Sequence, residues 1–434
     1  MRPAAATALA TAFALVALSG CTAMEPVATP TPTPAPTTAT ATPIPPSGDG
    51  VLRIGTLAPL TGPNSSRGPV QVAAVEIAAR DLAAAGGVLG APVEVVHRDV
   101  GDPATPKAEE SLADLVARGV DVVIGPSDPG LVLRLAPLAA EAGVTMLVPS
   151  SGTAAVGAAD PADVVFRIAP PLTAQIAAVG HALAADGVES IALLTAEGEE
   201  GLALGEALSA ALEGADVDLV VPEPVSPSTR ASALARELLE PDEGDGEEPA
   251  PRPVEAVIVA TSADLAPATG VVLEALIDAG LNADGLWMLG DSLVDYAEIV
   301  GAGALEGAHG VRAGADASDR FRTILRQSDP GIPTFALAAE VYDAVMLAAL
   351  AAELAGDDGG PSIAGSLRAA AADGVPCTSF GACLDVIAQD REPDYDGLSG
   401  LLTIDAAGDV ADARLALFRY SATGSLERDG VLGD

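Results

Sequence analysis

Val51 Leu52 Arg53 Ile54 Gly55 Thr56 Leu57, followed by an alanine-rich helical stretch over 70–85 and then by Val93 Glu94 Val95 Val96 His97 Arg98, decides the fold. A short β-branched run, a longer run of helical periodicity and a second β-branched run make a βαβ unit, whose strands lie parallel. The unit then repeats. Strands are expected over 51–57, 93–98, 120–124, 145–148, 191–195, 217–221, 254–260 and 285–289. Helices are expected between them over 70–85, 107–117, 131–142, 172–185, 202–212, 229–239 and 266–279. Crossovers of this kind are almost always right-handed, so each set winds into a sheet with helices on both faces. After residue 310 the alternation stops. Two helices are expected over 335–354 and 362–372, and a closing hairpin pairs 400–404 with 413–420 about the turn Asp405 Ala406 Ala407 Gly408 Asp409.

Residues 51–434 exceed what one core serves, because cores stop growing near about 250–300 residues. Two lobes are therefore expected, in an α/β class of two doubly wound parallel-sheet lobes. The chain carries 61 acidic and 21 basic residues, a formal net charge of −40. A surface of that sign repels phosphate backbones and anionic lipid heads, which excludes nucleic acid as a partner.

Residues 1–20 read as a signal peptide: a charged start at Arg2, an apolar middle from Ala4 to Leu18, and a small-residue exit at Ser19 and Gly20. The run is shorter than the roughly 20 apolar residues a spanning helix needs, and no basic flank follows it. Leu18 Ser19 Gly20 Cys21 resembles the lipobox of bacterial lipoproteins, which implies acylation of Cys21 and an anchor at the outer face of the cell membrane. Residues 21–50 combine that cysteine with a Thr/Pro/Ala tract carrying almost no charge. Such a tract cannot bury enough apolar surface to order itself, so it is expected to act as an extended linker.

An odd cysteine in an exported chain needs an explanation, and Cys21 supplies it. Cys377 and Cys383 remain, separated by five residues beside Pro376 and Gly381, a spacing that suits a small disulfide loop. Metal ligation and two free thiols are the other readings, and neither histidine nor further cysteine lies nearby to complete a zinc site. The acidic stretch over 240–253 lacks the spacing of an EF-hand loop and reads as a solvated insertion.

Several segments together resemble type I periplasmic binding proteins, in the branch that binds leucine, isoleucine and valine for ABC importers. They are Ile54 Gly55 Thr56 Leu57 Ala58 Pro59 Leu60 Thr61 Gly62; Ala85 Gly86 Gly87 Val88 Leu89 Gly90; Asp99 with Asp102 Pro103; Val122 Val123 Ile124 Gly125 Pro126; and Asp396 Gly397 Leu398 Ser399 Gly400 with Asp405, Gly408 and Asp409. The resemblance implies lobe 1 from 51–170 with 311–397 and lobe 2 from 171–310 with 398–434, joined by three crossovers around a hinged ligand cleft. It also implies a membrane-tethered substrate-binding protein that takes an amino acid or a similar carboxylate-bearing solute, with permease subunits as partners. No cofactor is implied.

Ligands in open α/β sheets bind beyond the carboxyl ends of the strands, where loops and helix N-termini offer N–H groups to an anion. In the loop after the third strand the family offers a serine to the ligand carboxylate. Ser127 and Asp128 stand here, with Pro129 near the expected serine. The next loop keeps the family's small hydroxyl residues as Ser150, Ser151 and Thr153. Glu200 stands near the position of an aromatic that covers the ligand, Ser262 follows the strand at 254–260, and Asp291 corresponds to an acid that takes the ligand's ammonium group. Arg67, also where the family often has an aromatic, is placed to pair bidentately with an anion. Each has a plainer reading: Arg67, Asp128 and Glu200 as solvated loop charges, Ser150, Ser151 and Asp291 as helix caps.

No catalytic motif accompanies these residues. HExxH, GxSxG and a Walker loop are absent, and the only lysine, Lys107, opens a helix with a surface-facing pattern. The reading is a binding protein without enzymatic activity or metal. The alternative is a sensor or envelope lipoprotein that keeps the fold with an altered or lost ligand site, motivated by Pro129 and Glu200.

Overall fold

The structure is a computed structural model that describes residues 47–149, 152, 163–240, 252–294, 296–314, 317–372, 374–410 and 414–432. The signal peptide, Cys21 and nearly all of the linker and acidic insertion lie outside these residues.

The first sheet follows from the opening βαβ rhythm. β1 (Arg53–Ala58), α1 (Gly68–Ala84), β2 (Glu94–Asp99), α2 (Lys107–Ala117), β3 (Val122–Ile124), α3 (Pro129–Ala142), β4 (Thr145–Val148) and β5 (Val165–Arg167) alternate along the chain. The strands pair in the order β2-β1-β3-β4-β5, all parallel. Local chemistry fixes the ends of α3. The Asp128 carboxylate accepts the Leu131 N–H at 2.9 Å, Pro129 occupies the first turn, and Gly143 takes the left-handed conformation at the C-terminus.

The second sheet is built from α4 (Leu172–Ala185), β6 (Ser190–Thr195), α5 (Glu199–Ala211), β7 (Asp218–Val220), α6 (Ala231–Leu239), β8 (Ala256–Ala260), α7 (Ala266–Asp278), β9 (Leu286–Leu289), α8 (Ala297–Val300) and β10 (His309–Ala313). The chain continues through α9 (Asp319–Ser328), α10 (Ala338–Ala355), α11 (Gly360–Ser366), β11 (Val375–Cys377), α12 (Phe380–Ile387), β12 (Pro393–Tyr395), β13 (Leu415–Tyr420) and β14 (Leu426–Leu432). The second sheet runs β14-β13-β10-β9-β8-β6-β7, with β13 antiparallel to both of its neighbours.

Each sheet is covered on both faces, which gives two lobes with separate cores. In the first, α1 and α10 close one face around Ala74, Ile77, Val341 and Ala348, while α2 and α3 close the other around Leu112, Leu115, Val132 and Leu135. In the second, α6 and α7 lie on one face and α4 and α5 on the other. Alanine-rich contact faces let α1 and α10 approach closely, so a core with few aromatics still packs densely.

The closing hairpin differs from expectation. Residues 400–404 form no strand, and only an isolated bridge joins Ile404 to Val410. Leu402, Ile404 and Val410 are instead buried in the first lobe's core. The hairpin partner of β13 is β14, across a turn at residues 421–425. Strand β14 escapes notice in the sequence because Glu427, Arg428 and Asp429 interrupt it, and such charges are what an exposed edge strand carries. The helix expected over 362–372 ends at Ser366 and is followed by a 3-10 turn at Arg368–Ala370.

Strand β10 also lies in the second sheet, so the chain leaves that sheet after Ala313 and returns to it at Leu415. The disulfide joins Cys377 to Cys383 with a Cα–Cα distance of 5.3 Å, and both cysteines are buried. Among the described residues, no helix is long and apolar enough to cross a membrane.

Candidate functional site

The carboxyl ends of β1, β3 and β4 are neighbours in the first sheet, and the loops leaving them make one surface. Asp99, at the end of β2, organises the first loop. Its Oδ1 accepts the N–H groups of Leu60, Thr61 and Gly101 at 2.9, 3.0 and 2.9 Å, and its Oδ2 accepts the Thr61 hydroxyl at 2.5 Å. Burial pushes the Asp99 carboxyl up, but the bonds from the Thr61 hydroxyl and the three N–H groups outweigh it and hold the group below the usual carboxylate range. The loop then meets α1 at Gly68, where a Cβ would lie 2.3 Å from the Pro59 carbonyl oxygen. Arg67 ends the 3-10 turn Ser65–Arg67 just before it, exposed to solvent.

The loop after β3 is held from α1. The buried Gln71 side chain donates to Ser127 Oγ at 3.3 Å, and Asp128 caps α3 as described. The loop after β4 comes in against it: a Cβ on Gly152 would lie 2.3 Å from Pro129 Cγ, so glycine alone permits the contact. Pro129, which follows Ser127 and Asp128 in the chain, is thus brought against Gly152, the residue between Ser151 and Thr153. Ser150, Ser151 and Thr153 themselves lie outside the described residues. The Gly152 carbonyl accepts from Arg167 Nη1 at 2.7 Å, and the Arg167 guanidinium is bidentate with Asp409.

In the second sheet the adjacent strands β6, β8 and β9 carry the remaining candidates at their carboxyl ends. Glu200 is exposed in the first turn of α5 beside Glu199, where negative charge suits the helix N-terminus. Ser262 is half-buried, with its carbonyl taking the Leu265 N–H at 3.0 Å. Asp291 is placed by its backbone in the 3-10 turn Gly290–Ser292. Ser292 is a structural residue: its buried Oγ lies 2.7 Å from the Val259 carbonyl and 2.6 Å from that of Leu289. A cavity of about 1110 Å3 opens beside the β6 loop, lined by Glu197, Gly198, Leu202, Glu206, Val221 and Pro222 among others, and follows α5 outward.

The connections between the sheets are pinned by polar groups that sequence reasoning missed. Asp343, fully buried on α10, accepts from the Tyr395 hydroxyl at 2.9 Å, the N–H groups of Leu398 and Ser399 at 2.9 and 2.7 Å, and the Ser399 hydroxyl at 2.6 Å. Burial pushes its carboxyl up against these four donors. A Cβ on Gly397 would lie 2.3 Å from Asp343 Oδ2, which explains the glycine there. The signal for such groups was present as a lone Asp or Arg within an apolar run, Tyr342 Asp343 Ala344 Val345 or Val165 Phe166 Arg167 Ile168. Their partners, far away in sequence, were not identifiable.

Comparison with known proteins agrees with this architecture. A family profile described as "Periplasmic binding protein" matches residues 51–396. A Leu/Ile/Val-binding protein of Rhizobium johnstonii is 26% identical over 180 residues, which are 41% of this chain and 48% of that protein, so the match spans about half of the relative's length. Among solved structures, the fold is similar to a branched-chain amino acid transporter substrate-binding protein of Streptococcus pneumoniae in complex with isoleucine. That pair shares 17% identity and a TM-score of 0.60, over 88% of this chain and 99% of that one. It is also similar to a solute-binding protein of R. palustris in complex with 4-hydroxybenzoate, at 19% identity and a TM-score of 0.60, over 88% and 97% of the two chains. With two helix-covered, largely parallel sheets and a profile match over residues 51–396, the chain belongs to the periplasmic binding proteins of type I.

Proposed function

We propose that the protein is the extracytoplasmic solute receptor of an ABC importer, holding an amino acid or a similar small carboxylate between its lobes. The observation that carries this reading is the meeting of the β3 and β4 loops at Pro129 and Gly152, beside the Ser127 hydroxyl and the N-terminus of α3. Hydroxyls and N–H groups at strand ends are suited to a carboxylate, and Ser150, Ser151 and Thr153 flank Gly152 in the chain. The lobe that follows supplies the counterpart: Glu200 and Asp291, with Ser262, stand at the ends of adjacent strands and suit an ammonium group better than a second anion. Arg67 is the cationic candidate on the opposite side. Closure would follow from differential affinity for the closed state, and a permease would read loaded and empty forms by that difference.

The sequence supports tethering of this domain through acylated Cys21 and the linker to residue 50. Mass spectrometry of the chain from membranes should find the diacylglycerol adduct on Cys21; a soluble, unmodified chain beginning elsewhere would refute the anchor. The solute class is tested by thermal shift with amino acids and benzoates. A ligand present at 100 times its Kd stabilises by about 2.7 kcal/mol. Stabilisation by leucine or isoleucine supports the amino-acid reading, stabilisation by 4-hydroxybenzoate alone moves the site to aromatic acids, and no stabilisation by either class at millimolar concentration refutes a carboxylate receptor.

A further inference from the structure

We propose that residues 47–51 are a docking strap rather than the end of a free linker: Asp357 and Asp358 hold it on lobe 1 at the amino edge of the first sheet, so the tether leaves by that lobe alone, on the side opposite the strand-end loops. Such a strap requires neither a bound solute nor acylation of Cys21, so it stands or falls independently of both.

Five successive N–H groups meet two carboxylates. Those of Ser47 and Gly48 donate to Asp357 Oδ2 and Oδ1, both at 3.1 Å. Those of Asp49 and Val51 donate to Asp358 Oδ2 at 3.3 and 3.1 Å, and that of Gly50 donates to Asp358 Oδ1 at 2.8 Å. Successive N–H groups turned to one side form a concavity for an anion. Here the anions come from the turn between α10 and α11, where Asp357 and Asp358 are 8% and 2% exposed. Burial pushes the Asp357 carboxyl up, but bonds from the Ser362 hydroxyl and from the N–H groups of Ser47, Gly48 and Gly359 outweigh it and hold the group below the usual carboxylate range. Without the strap, Asp358 would lose three N–H donors and stand as a buried charge beside Asp357, a costly arrangement. The steric fit is equally close. A Cβ on Gly48 would lie 2.2 Å from Asp358 Oδ1, and one on Gly359 would lie 2.8 Å from the Gly48 nitrogen. The strap is also tied forward to the sheet: Asp49 Oδ2 pairs with Arg53 Nη1 at 2.8 Å, and Arg53 Nε donates to Glu94 on β2 at 3.0 Å.

The same turn places the strap on the sheet. The Gly360 carbonyl accepts the Thr145 hydroxyl at 2.8 Å, and a Cβ on Gly360 would lie 2.7 Å from the Asp121 carbonyl oxygen. Thr145 opens β4 and Asp121 immediately precedes β3, so the turn lies against the amino ends of two parallel strands. The loops that carry Arg67 and Ser127 leave the opposite ends of β1 and β3. Six residues of β1, about 20 Å of extended chain, separate the strap from the first of these loops. Helices α10 and α11 are packed into the first lobe's core, so a movement of the second lobe leaves the root of the tether in place.

The test uses the full chain with Cys21→Ser, so that only introduced cysteines take spin labels, the other two being joined in the disulfide. One label goes on Pro46→Cys. The second goes on Glu141→Cys, at the end of α3 near the amino edge, or on Glu110→Cys, in α2 near the carboxyl edge. Double electron–electron resonance should give a narrow distance distribution for each pair, with the 46–141 distance the shorter. Amide hydrogen exchange at 48–51 should be slowed about tenfold or more relative to an unstructured chain. Two variants release the strap from opposite sides: Asp357→Asn combined with Asp358→Asn removes the charges, and Gly48→Ala leaves lobe 1 untouched while its Cβ pushes the strap away. Each should raise exchange at 48–51 about tenfold or more and broaden both distributions, while β1 stays protected. Gly48→Ala keeps the test decisive if the double variant does not fold. Free exchange at 48–51 in wild type, a 46–141 distance no shorter than the 46–110 distance, or variants that behave as wild type would each overturn the proposal.

Discussion

Asp121 offers a sharp test of the electrostatics at the edge of the first lobe. It stands just before β3, and its Oδ2 accepts the Arg53 N–H at 2.8 Å. Burial chiefly, opposed by that N–H and reinforced by the carboxylates of Asp358 and Asp49, pushes the Asp121 carboxyl up to about 7 from an ordinary 3.8. Because the folded value is the higher one, its favourable contribution is fully present below pH 3.8 and is lost as pH rises through 7. The gap corresponds to about 4 kcal/mol in full, and partial exposure of the group to screening solvent cuts this to about 2 kcal/mol. Replacing Asp121 by Asn keeps an oxygen for the Arg53 N–H and removes the charge. The variant should match wild type near pH 4 and exceed it by about 2 kcal/mol at pH 8, a rise in Tm of roughly 4 °C. Thermal unfolding followed by circular dichroism at pH 4, 5, 6, 7 and 8 measures the difference directly. A difference that does not grow with pH, or a variant less stable at pH 8, refutes the reasoning.

Three further outcomes follow from the packing. Asp343→Asn turns an amide N–H2 toward donors that need an acceptor, and should lower stability by about 2–4 kcal/mol in chemical denaturation; a loss under 1 kcal/mol would show that the four bonds are not holding the connection. Gly397→Ala should cost about 1–3 kcal/mol by forcing its Cβ onto the Asp343 carboxylate, and the loss should shrink in the Asp343→Ala background, where the obstructing atoms are gone. Reduction of the Cys377–Cys383 bond should lower the Tm by the equivalent of about 2 kcal/mol, the chain entropy of a loop with sequence separation 6; an unchanged Tm with reduction verified by thiol titration would contradict that account.

The elements most legible in the sequence were those whose periodicity is set by burial. β4 was read over 145–148 and α2 over 107–117, and both are found at those bounds: an apolar run between turn residues leaves a parallel strand little alternative, and α2 buries one face through Ala108, Ser111, Leu112 and Leu115 at helical spacing. The illegible elements are short or polar. β5 has only three residues, β11 contains Pro376, and β14 carries three consecutive charged residues on a strand paired along one edge. The candidate site divides the same way. Loops at strand ends were locatable from the strands alone, whereas the capping role of Asp128 depends on the Leu131 N–H it accepts and the structural locking of Ser292 on the Val259 carbonyl its hydroxyl reaches.

The sequence by itself determined the α/β class, the two-lobe size and the order of the strand-end loops, since each follows from local periodicity, composition or spacing, and it favoured the Cys377–Cys383 disulfide that the structure forms. Only the tertiary structure decided that residues 402–410 return to the first core, that Arg167 reaches Asp409 and Gly152, and that Asp343 holds the turn at 397–399. Those facts rest on contacts between residues tens to hundreds of positions apart. A buried charge announces in the sequence that it needs a partner, and packing alone names which one.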